Sequence, residues 1–313
     1  MSLLIQYTLI YASVLLLVAL GGCFSEHSGV INLGLEGIMV MGALGGALVM
    51  KFFPDLPAFA MLVSVLFCSV VCGMLYSLLL AVAAIRFQAD QTLVGTAMNL
   101  LGTAAATVFV KAMNTAENPH NVSSTIQYIQ QKKAFILLKT GQFEVSWFMV
   151  IAVLLLAAAH IVLYKTRFGL RLMACGEHPQ AADSVGINVQ KMRYAGVLIS
   201  GFLGGLGGIV YITAGVSEWK FEYGVAGFGF LALAVMIFGQ WKPLLIALAA
   251  LLFGLFRALS NVYAGFDALA ALNIPGSFYN MLPYIVSLAI LALFSKNSRA
   301  PKAEGIPYDK SRR

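Results

Sequence analysis

Apolar runs of about 18 or more residues, long enough to cross a bilayer, recur along the whole chain. Nine are read, at roughly 3–21, 30–50, 57–85, 92–112, 146–164, 194–213, 227–239, 244–262 and 277–294. A large soluble core would instead need short apolar runs separated by charge. The pattern predicts an all-α fold, a polytopic transmembrane helical bundle of about nine spans. The run at 57–85 is long enough to tilt strongly or to continue past the membrane. The run at 227–239 is short and flanked by glycine, as a half-helix would be.

A faint repeat joins two stretches. "YASVLLLVALGG" from Tyr11 leads through a short polar stretch into "INLGLEGIMVMGALGG". "YAGVLISGFLGG" from Tyr194 leads through another into "VAGFGFLALAVMIFG". Each unit opens a group of four spans, and the single span between the groups inverts the second against the first. Inverted repeats with broken helices are a transporter architecture. The expected organisation is one transmembrane domain over 1–313. It comprises a first repeat (1–112), an external loop (113–145), a cytoplasmic segment (165–193), a second repeat (194–294) and a basic tail (295–313).

Charge sets the orientation. Segment 165–193 carries Lys165, Arg167, Arg171, Lys191 and Arg193 against Glu177 and Asp183. The tail carries Lys296, Arg299, Lys302, Lys310, Arg312 and Arg313. Basic loops stay in the cytoplasm, and the even number of spans between these two puts both there. Counting backwards puts the N-terminus outside, together with the loop that holds Asn114, Asn118, Pro119 and His120. Its Lys132, Lys133 and Lys139 run against the rule, which longer loops obey poorly.

Composition changes the picture little. The 313 residues are 60% hydrophobic and 11% charged, and the formal net charge is +7. No Lys/Arg stripe alternates with exposed aromatics, so the excess fits topology and not nucleic-acid binding. The four cysteines, Cys23, Cys68, Cys72 and Cys175, have no zinc spacing and read as small apolar packing. "LGGC" ending at Cys23 loosely resembles a lipoprotein cleavage box. No Lys or Arg precedes its apolar run, and more membrane follows, so a cleaved signal peptide is not expected.

The chain has no G-x-x-x-x-G-K-[ST] phosphate loop, no H-E-x-x-H and no G-x-S-x-G elbow. No nucleophile–base pair supports an intramembrane enzyme. What stands out is Glu36, a carboxyl group inside a membrane run, with Gly34 and Gly37 around it and Asn32 one turn earlier. At the bilayer centre it would cost about 2.5–3.5 kcal/mol, so it should face a bundle interior or a water-filled path. A helix starting near Asn32, with that residue as N-cap, would aim free N–H groups into a cavity. Glu36 then belongs either to a gate in the substrate path or to a structural hydrogen bond with a neighbouring helix. An ion-coupled secondary transporter would use the same carboxylate for its ion.

Phe228 and Phe230, beside Gly224, Gly227 and Gly229, could stack on a planar ligand or simply pack. In the fourth span Gln91, Thr92, Asn99 and Thr103 interrupt the apolar pattern. Residues 92, 99 and 103 share a helical face, which either lines the path or joins helices. "SGFLGGLGG" from Ser200 offers Gly201/Gly205 and Gly204/Gly208 at the spacing of close helix contacts.

The cytoplasmic segment contains "HPQAADSVG". Proline at a helix start and glycine at its end predict a short helix from near Pro179 to a stop at Gly186. One or two turns bury little alone, which suits a plug for a groove in a partner. The alternative is an ordinary amphipathic interfacial helix.

Two stretches together, "FSEHSGVINLGLEGIMVMGA" and "RFGLRLMACGEHPQAADSVGINVQKMRYAGVLISGFLGGLGG", resemble permease subunits of bacterial ABC importers. The group is the one for branched-chain amino acids, ribose-type sugars and nucleosides, and the likeness is greatest to nucleoside permeases of the guanosine or purine type. Three residues depart from its pattern: His27 stands in place of Arg, His178 in place of Asn, and Gln180 in place of Glu.

The resemblance implies a multi-pass protein of the bacterial cell membrane, surrounded by lipid, that pairs with a second homologous permease as a heterodimer. Cytoplasmic ABC ATPase subunits would dock on Gly176, Glu177, His178, Pro179, Ala181, Ala182, Asp183 and Gly186. An extracellular substrate-binding lipoprotein would deliver a small-molecule substrate, a nucleoside or else a sugar or branched-chain amino acid. ATP would be hydrolysed by the partners, and this chain would bind no cofactor. Asn32, Glu36, Asn99, Thr103, Phe228 and Phe230 are the candidate path or gate residues.

Overall fold

A computed structural model describes residues 2–129, 131–140, 143–214, 216–263, 278–279, 281–286, 288 and 300–309. The described elements run α1 (Ser2–His27), α2 (Leu35–Phe52), α3 (Ala58–Ala81), α4 (Gln91–Glu117), β1 (Thr125–Gln127), β2 (Ile136–Thr140), β3 (Phe143–Ser146), α5 (Trp147–Lys165), α6 (Arg167–Glu177), α7 (Pro179–Ser184), α8 (Val189–Thr213), β4 (Glu218–Lys220), α9 (Phe228–Phe238) and α10 (Pro243–Val262). A π-helical turn, Val82–Arg86, extends α3. Among the described residues, 8 helices are long and apolar enough to cross a membrane. They match the first eight runs read from the pattern, and the fold is an all-α polytopic membrane bundle. The ninth run, 277–294, lies for the most part outside the described residues.

Several boundaries move. The second helix starts at Leu35 and not at residue 30, because residues 30–32 are irregular and 33–34 form a turn between the two helices. The sixth starts at Val189, where Asn188 caps it by accepting from the Lys191 amide, so it extends into the cytoplasmic segment. Ahead of α7, residues Arg167–Glu177 form a helix capped by Thr166, whose side chain accepts from the Gly169 amide. The loop expected to be external begins only after Glu117 and contains short strands. Thr125–Gln127 pairs antiparallel with Glu218–Lys220, so the loop after α4 is bonded to the loop after α8. A separate antiparallel pair joins Ile136–Thr140 to Phe143–Ser146.

Helix α8 lies at the centre because it is thin. A Cβ on Gly208 would fall 1.9 Å from the Met39 carbonyl oxygen. One on Gly42 would fall 2.3 Å from the Gly205 Cα, and one on Gly73 2.4 Å from the Gly201 oxygen. Without a hydrophobic drive between helices in lipid, such backbone-to-backbone approach is what holds spans together. The glycine pairs expected to make close contacts do so, against α2 and α3. Helix α1 packs most extensively on α10, and α8 on α3, while α1 and α8 also lie against each other.

Candidate functional site

Helices α6 and α8, whose first turns lie outside the apolar runs, are capped by their own sequence. Helices α2 and α9 start within apolar runs of the sequence and are not: their N-cap residues, Gly34 and Gly227, offer no side chain. Orphan amides in hydrocarbon are costly. Other spans supply the acceptors. Asn99 of α4 accepts from the Gly37 amide at 2.9 Å and donates to the Leu33 carbonyl at 2.8 Å, so one side chain spans the break before α2. Glu36, in the first turn of α2, accepts from the Gly227 amide at 2.8 Å and the Gly229 amide at 2.7 Å. Those amides open α9. Each charge-assisted hydrogen bond contributes about 1.5–3 kcal/mol, so the pair offsets the insertion cost of the carboxyl group. Glycine at 229 is required, since its Cβ would fall 2.5 Å from the Glu36 nitrogen.

Asn32 is fully buried but is not the cap of α2. Its amide nitrogen donates to Ser200 Oγ at 2.8 Å and its oxygen accepts from the Gly34 amide at 3.1 Å, which ties the turn before α2 to α8. Thr103 lies beside Gly224, whose Cβ would be 3.3 Å from the threonine oxygen. Thr92 is exposed and does not share the buried face of Asn99; the buried positions of α4 are instead Gln91, Gly95, Met98, Asn99, Gly102, Ala106, Val110 and Asn114. Phe228 is 1% exposed, with its ring 4.4 Å from Tyr211, 5.7 Å from Tyr11 and 5.3 Å beneath the Arg257 guanidinium. Phe230 is 47% exposed. The two phenylalanines therefore face opposite ways, because they lie two residues apart on a helix. Arg257 was legible as a lone cation in an apolar run and belongs to this cluster.

At the other candidate site, α7 begins at Pro179 and ends before Gly186, whose φ of +83° closes it in the left-handed region. Glu177, His178, Ala181 and Gly186 are exposed, Asp183 is half-buried, and Pro179, Ala182 and Gly176 are buried. Ala182 packs with Cys175, Val189 and Tyr308. Burial pushes the Cys175 thiol up to about 11, which keeps it an apolar neighbour. Ala174, Glu177, His178, Ala181, Ala182, Val185 and Ile187 line a shallow cavity of about 300 Å³. Gly176 abuts α1, where its Cβ would be 2.4 Å from the His27 carbonyl oxygen. Nearby, Trp241 Nε1 donates to Glu26, and its carbonyl lies 3.1 Å from His27 Nε2. Among the described residues no group of three His, Cys, Asp or Glu is arranged to hold a metal ion.

The opposite end of the bundle is polar as well. Lys51 Nζ donates to Asn114 Oδ1 and pairs with Glu117, both at 2.8 Å. Asn114 Nδ2 donates to the carbonyls of Ser123 and Thr125, so α2, α4 and the external loop are joined at one point.

Comparison with known proteins agrees with this arrangement. The family described as branched-chain amino acid transport system / permease component matches residues 4–293. The guanosine ABC transporter permease protein NupQ of Bacillus subtilis is 39% identical over 317 residues, 100% of this chain and 98% of the relative. The nucleoside ABC transporter permease protein NupC of Lactococcus lactis is 39% identical over 321 residues, again 100% of this chain and 98% of the relative. A solved structure described as an inward-facing metal-chelate type ABC transporter superposes with a TM-score of 0.51 at 14% identity, covering 94% of this chain and 85% of the other, a likeness of fold alone. This multi-pass membrane chain belongs to the family of branched-chain amino acid transport system permease components.

Proposed function

We propose that this chain is one permease subunit of an ABC importer for nucleosides, working with a second permease subunit of different sequence. The observation that carries the substrate class is the full-length identity of 39% to relatives named for guanosine and nucleosides. The family's partners follow: an ATPase that hydrolyses ATP in the cytoplasm, and an external substrate-binding protein. Sugars and branched-chain amino acids are the alternatives within the same family. Helix α7, with its exposed Ala181 and the shallow apolar cavity beside it, is where the ATPase docks. Support comes from its position, held at the ends of α1, α6 and α8 rather than in a free loop.

The broken starts of α2 and α9 form the gate. Asn99 and Glu36 fasten it, Asn32 anchors it to α8, and Thr103, Phe228 and Phe230 lie along it. The mutual packing of α1 on α10 and α8 on α3 supports an inverted repeat, because exchanging the two halves leaves these pairs unchanged. An ion-coupled transporter would need Glu36 free to take up its ion, and both of its oxygens are engaged by backbone amides.

Uptake by cells with the partner ATPase deleted tests the class. Loss of uptake is expected, and uptake persisting on an ion gradient would overturn it. Competition of labelled guanosine uptake by nucleosides, ribose and leucine tests the substrate, with only nucleosides expected to compete.

A further inference from the structure

Residues 300–309 were read as part of a basic tail, but the structure packs them against the bundle. The Ala303 amide donates to the Gly176 carbonyl at 2.8 Å, and the Gly305 amide to the Gly29 carbonyl at 3.3 Å. Arg193 Nη1 donates to the Ile306 carbonyl at 3.0 Å, and Gln88 Nε2 to the Tyr308 carbonyl at 3.4 Å. Pro301, Ala303 and Tyr308 are buried, and Tyr308 shares an apolar cluster with Ala182 of α7. One ten-residue segment thus bonds the turn after α1, the end of α6, the start of α8 and the end of α3, and touches the docking helix.

The seat of this segment is poised rather than relaxed. The carboxyl group of Glu304 lies beside that of Glu26 on α1, near enough for each to act on the other's ionisation. Two acids in contact away from water share a proton, because both cannot ionise together. Of nine buried side-chain atoms without a hydrogen-bond partner among the described residues, four lie here: Arg193 Nε and Nη2, Glu304 Oε2 and Gln91 Nε2. Gln91 lies here through its oxygen, which accepts from the Ile31 amide. Gln88, bonded to Tyr308, has a φ of +52°, a strained value for a residue with a side chain. Unmet polar atoms and local strain gathered at one contact suit an element with two positions.

We propose that residues 300–309 are a releasable strap: seated, they make the α7 docking helix and the turn between α1 and α2 move together, and the Glu26–Glu304 carboxyl pair is the catch. The transport consequence rests on the docking role proposed for α7. The seating itself does not.

Burial pushes the Glu304 carboxyl up to about 7, from an ordinary value of 4.5. The other ionisable groups at the seat are Cys23 and His27 on α1, Cys175 and Glu177 at the end of α6, Tyr308 of the segment itself, and Arg193 on α8, whose guanidinium is turned to Ile306. Between the two values the seated strap binds more protons than the released one, so rising pH favours release until about 7, above which the effect is complete. For a single group so shifted, the release equilibrium changes about tenfold between about pH 6 and about pH 8.

The complete transporter, reconstituted in proteoliposomes, tests this by hydrogen exchange at the strap and by ATP hydrolysed per substrate carried. Protection of the Ala303 and Gly305 amides, corrected for intrinsic rates, should fall about tenfold over that range, and ATP used per substrate should rise with it. Glu304→Gln, which keeps the shape of the side chain but cannot ionise, should hold both flat at their low-pH values. Protection in Glu304→Gln that falls with pH as in the parent overturns the proposal. So does ATP use raised equally at every pH, which would mark a merely structural side chain. If protection behaves as expected but ATP use does not follow, the docking reading fails and the strap stands.

Discussion

Glu36 and Gly229, separated by almost two hundred residues, meet at 2.7 Å, carboxyl oxygen to amide nitrogen, at the first turn of a helix that starts within an apolar run. With the Gly227 amide on its other oxygen, Glu36 completes a helix that its own sequence leaves open.

Glu36→Gln should therefore weaken this junction by about 1–3 kcal/mol, because the glutamine NH₂ turns a donor toward an amide that is itself a donor. The chain should still assemble. Uptake per assembled complex, set against its melting temperature in detergent, is the measurement. Degradation of the variant would mean that Glu36 serves assembly first and the gate only indirectly.

Asn99→Ala removes the acceptor of Gly37 and the donor to Leu33 at once. A cost of about 1–3 kcal/mol for each buried group left unpaired is expected. Thr92→Ala, on an exposed position of the same helix, should leave the melting temperature unchanged. Equal effects of the two would remove the distinction between a spanning amide and a polar residue on the outer face.

The docking role of α7 needs a probe that spares its packing. Ala182→Arg fails this condition, since Ala182 is 4% exposed and packs on Cys175 and Tyr308. Gly186→Trp fails it too, since any side chain there is strained at a φ of +83°, whereas Ala181→Arg and Val185→Arg meet it, because both positions are exposed and line the shallow cavity. Both variants should insert normally and lose the ATPase in co-purification. Retention of a coupled ATPase would refute docking there.

At the end of the bundle opposite α7, Glu117→Ala should change stability by less than about 1 kcal/mol, because the Glu117 side of its ion pair with Lys51 is half in water. Asn114→Ala should cost more and open the loop to protease, since Asn114 holds the carbonyls of Ser123 and Thr125 as well as the lysine. Limited proteolysis of intact cells compares the two.

The spans were legible because an apolar run of bilayer length has few other uses. Helix α7 was legible because proline and glycine punctuate it. Other features depend on contacts distant in sequence. Nothing near Glu36 in the chain names Gly227 as its partner, and the local pattern placed the start of α2 at an asparagine that instead reaches Ser200. Strands of three residues such as Thr125–Gln127 carry too little alternation to register. The strap was hidden because Pro301, Ala303 and Tyr308, its buried residues, are scattered among Lys302, Glu304 and Asp309 and read as tail. Thr92, Asn99 and Thr103 were grouped by spacing alone, whereas the buried face of α4 runs from Gln91 through Gly95, Met98, Asn99 and Gly102 and leaves Thr92 outside.

The dependence of α9 on Glu36 also fixes an order of assembly. Ribosomes deliver the N-terminal half first, so α2 is in the bilayer before the residues of α9 leave the tunnel. When α9 arrives, its bare amides meet an acceptor already waiting, and the half-helix never has to survive alone in lipid. The first half of the chain is thus the template on which the second is completed, and a second half expressed alone would present those amides to hydrocarbon with no acceptor in place.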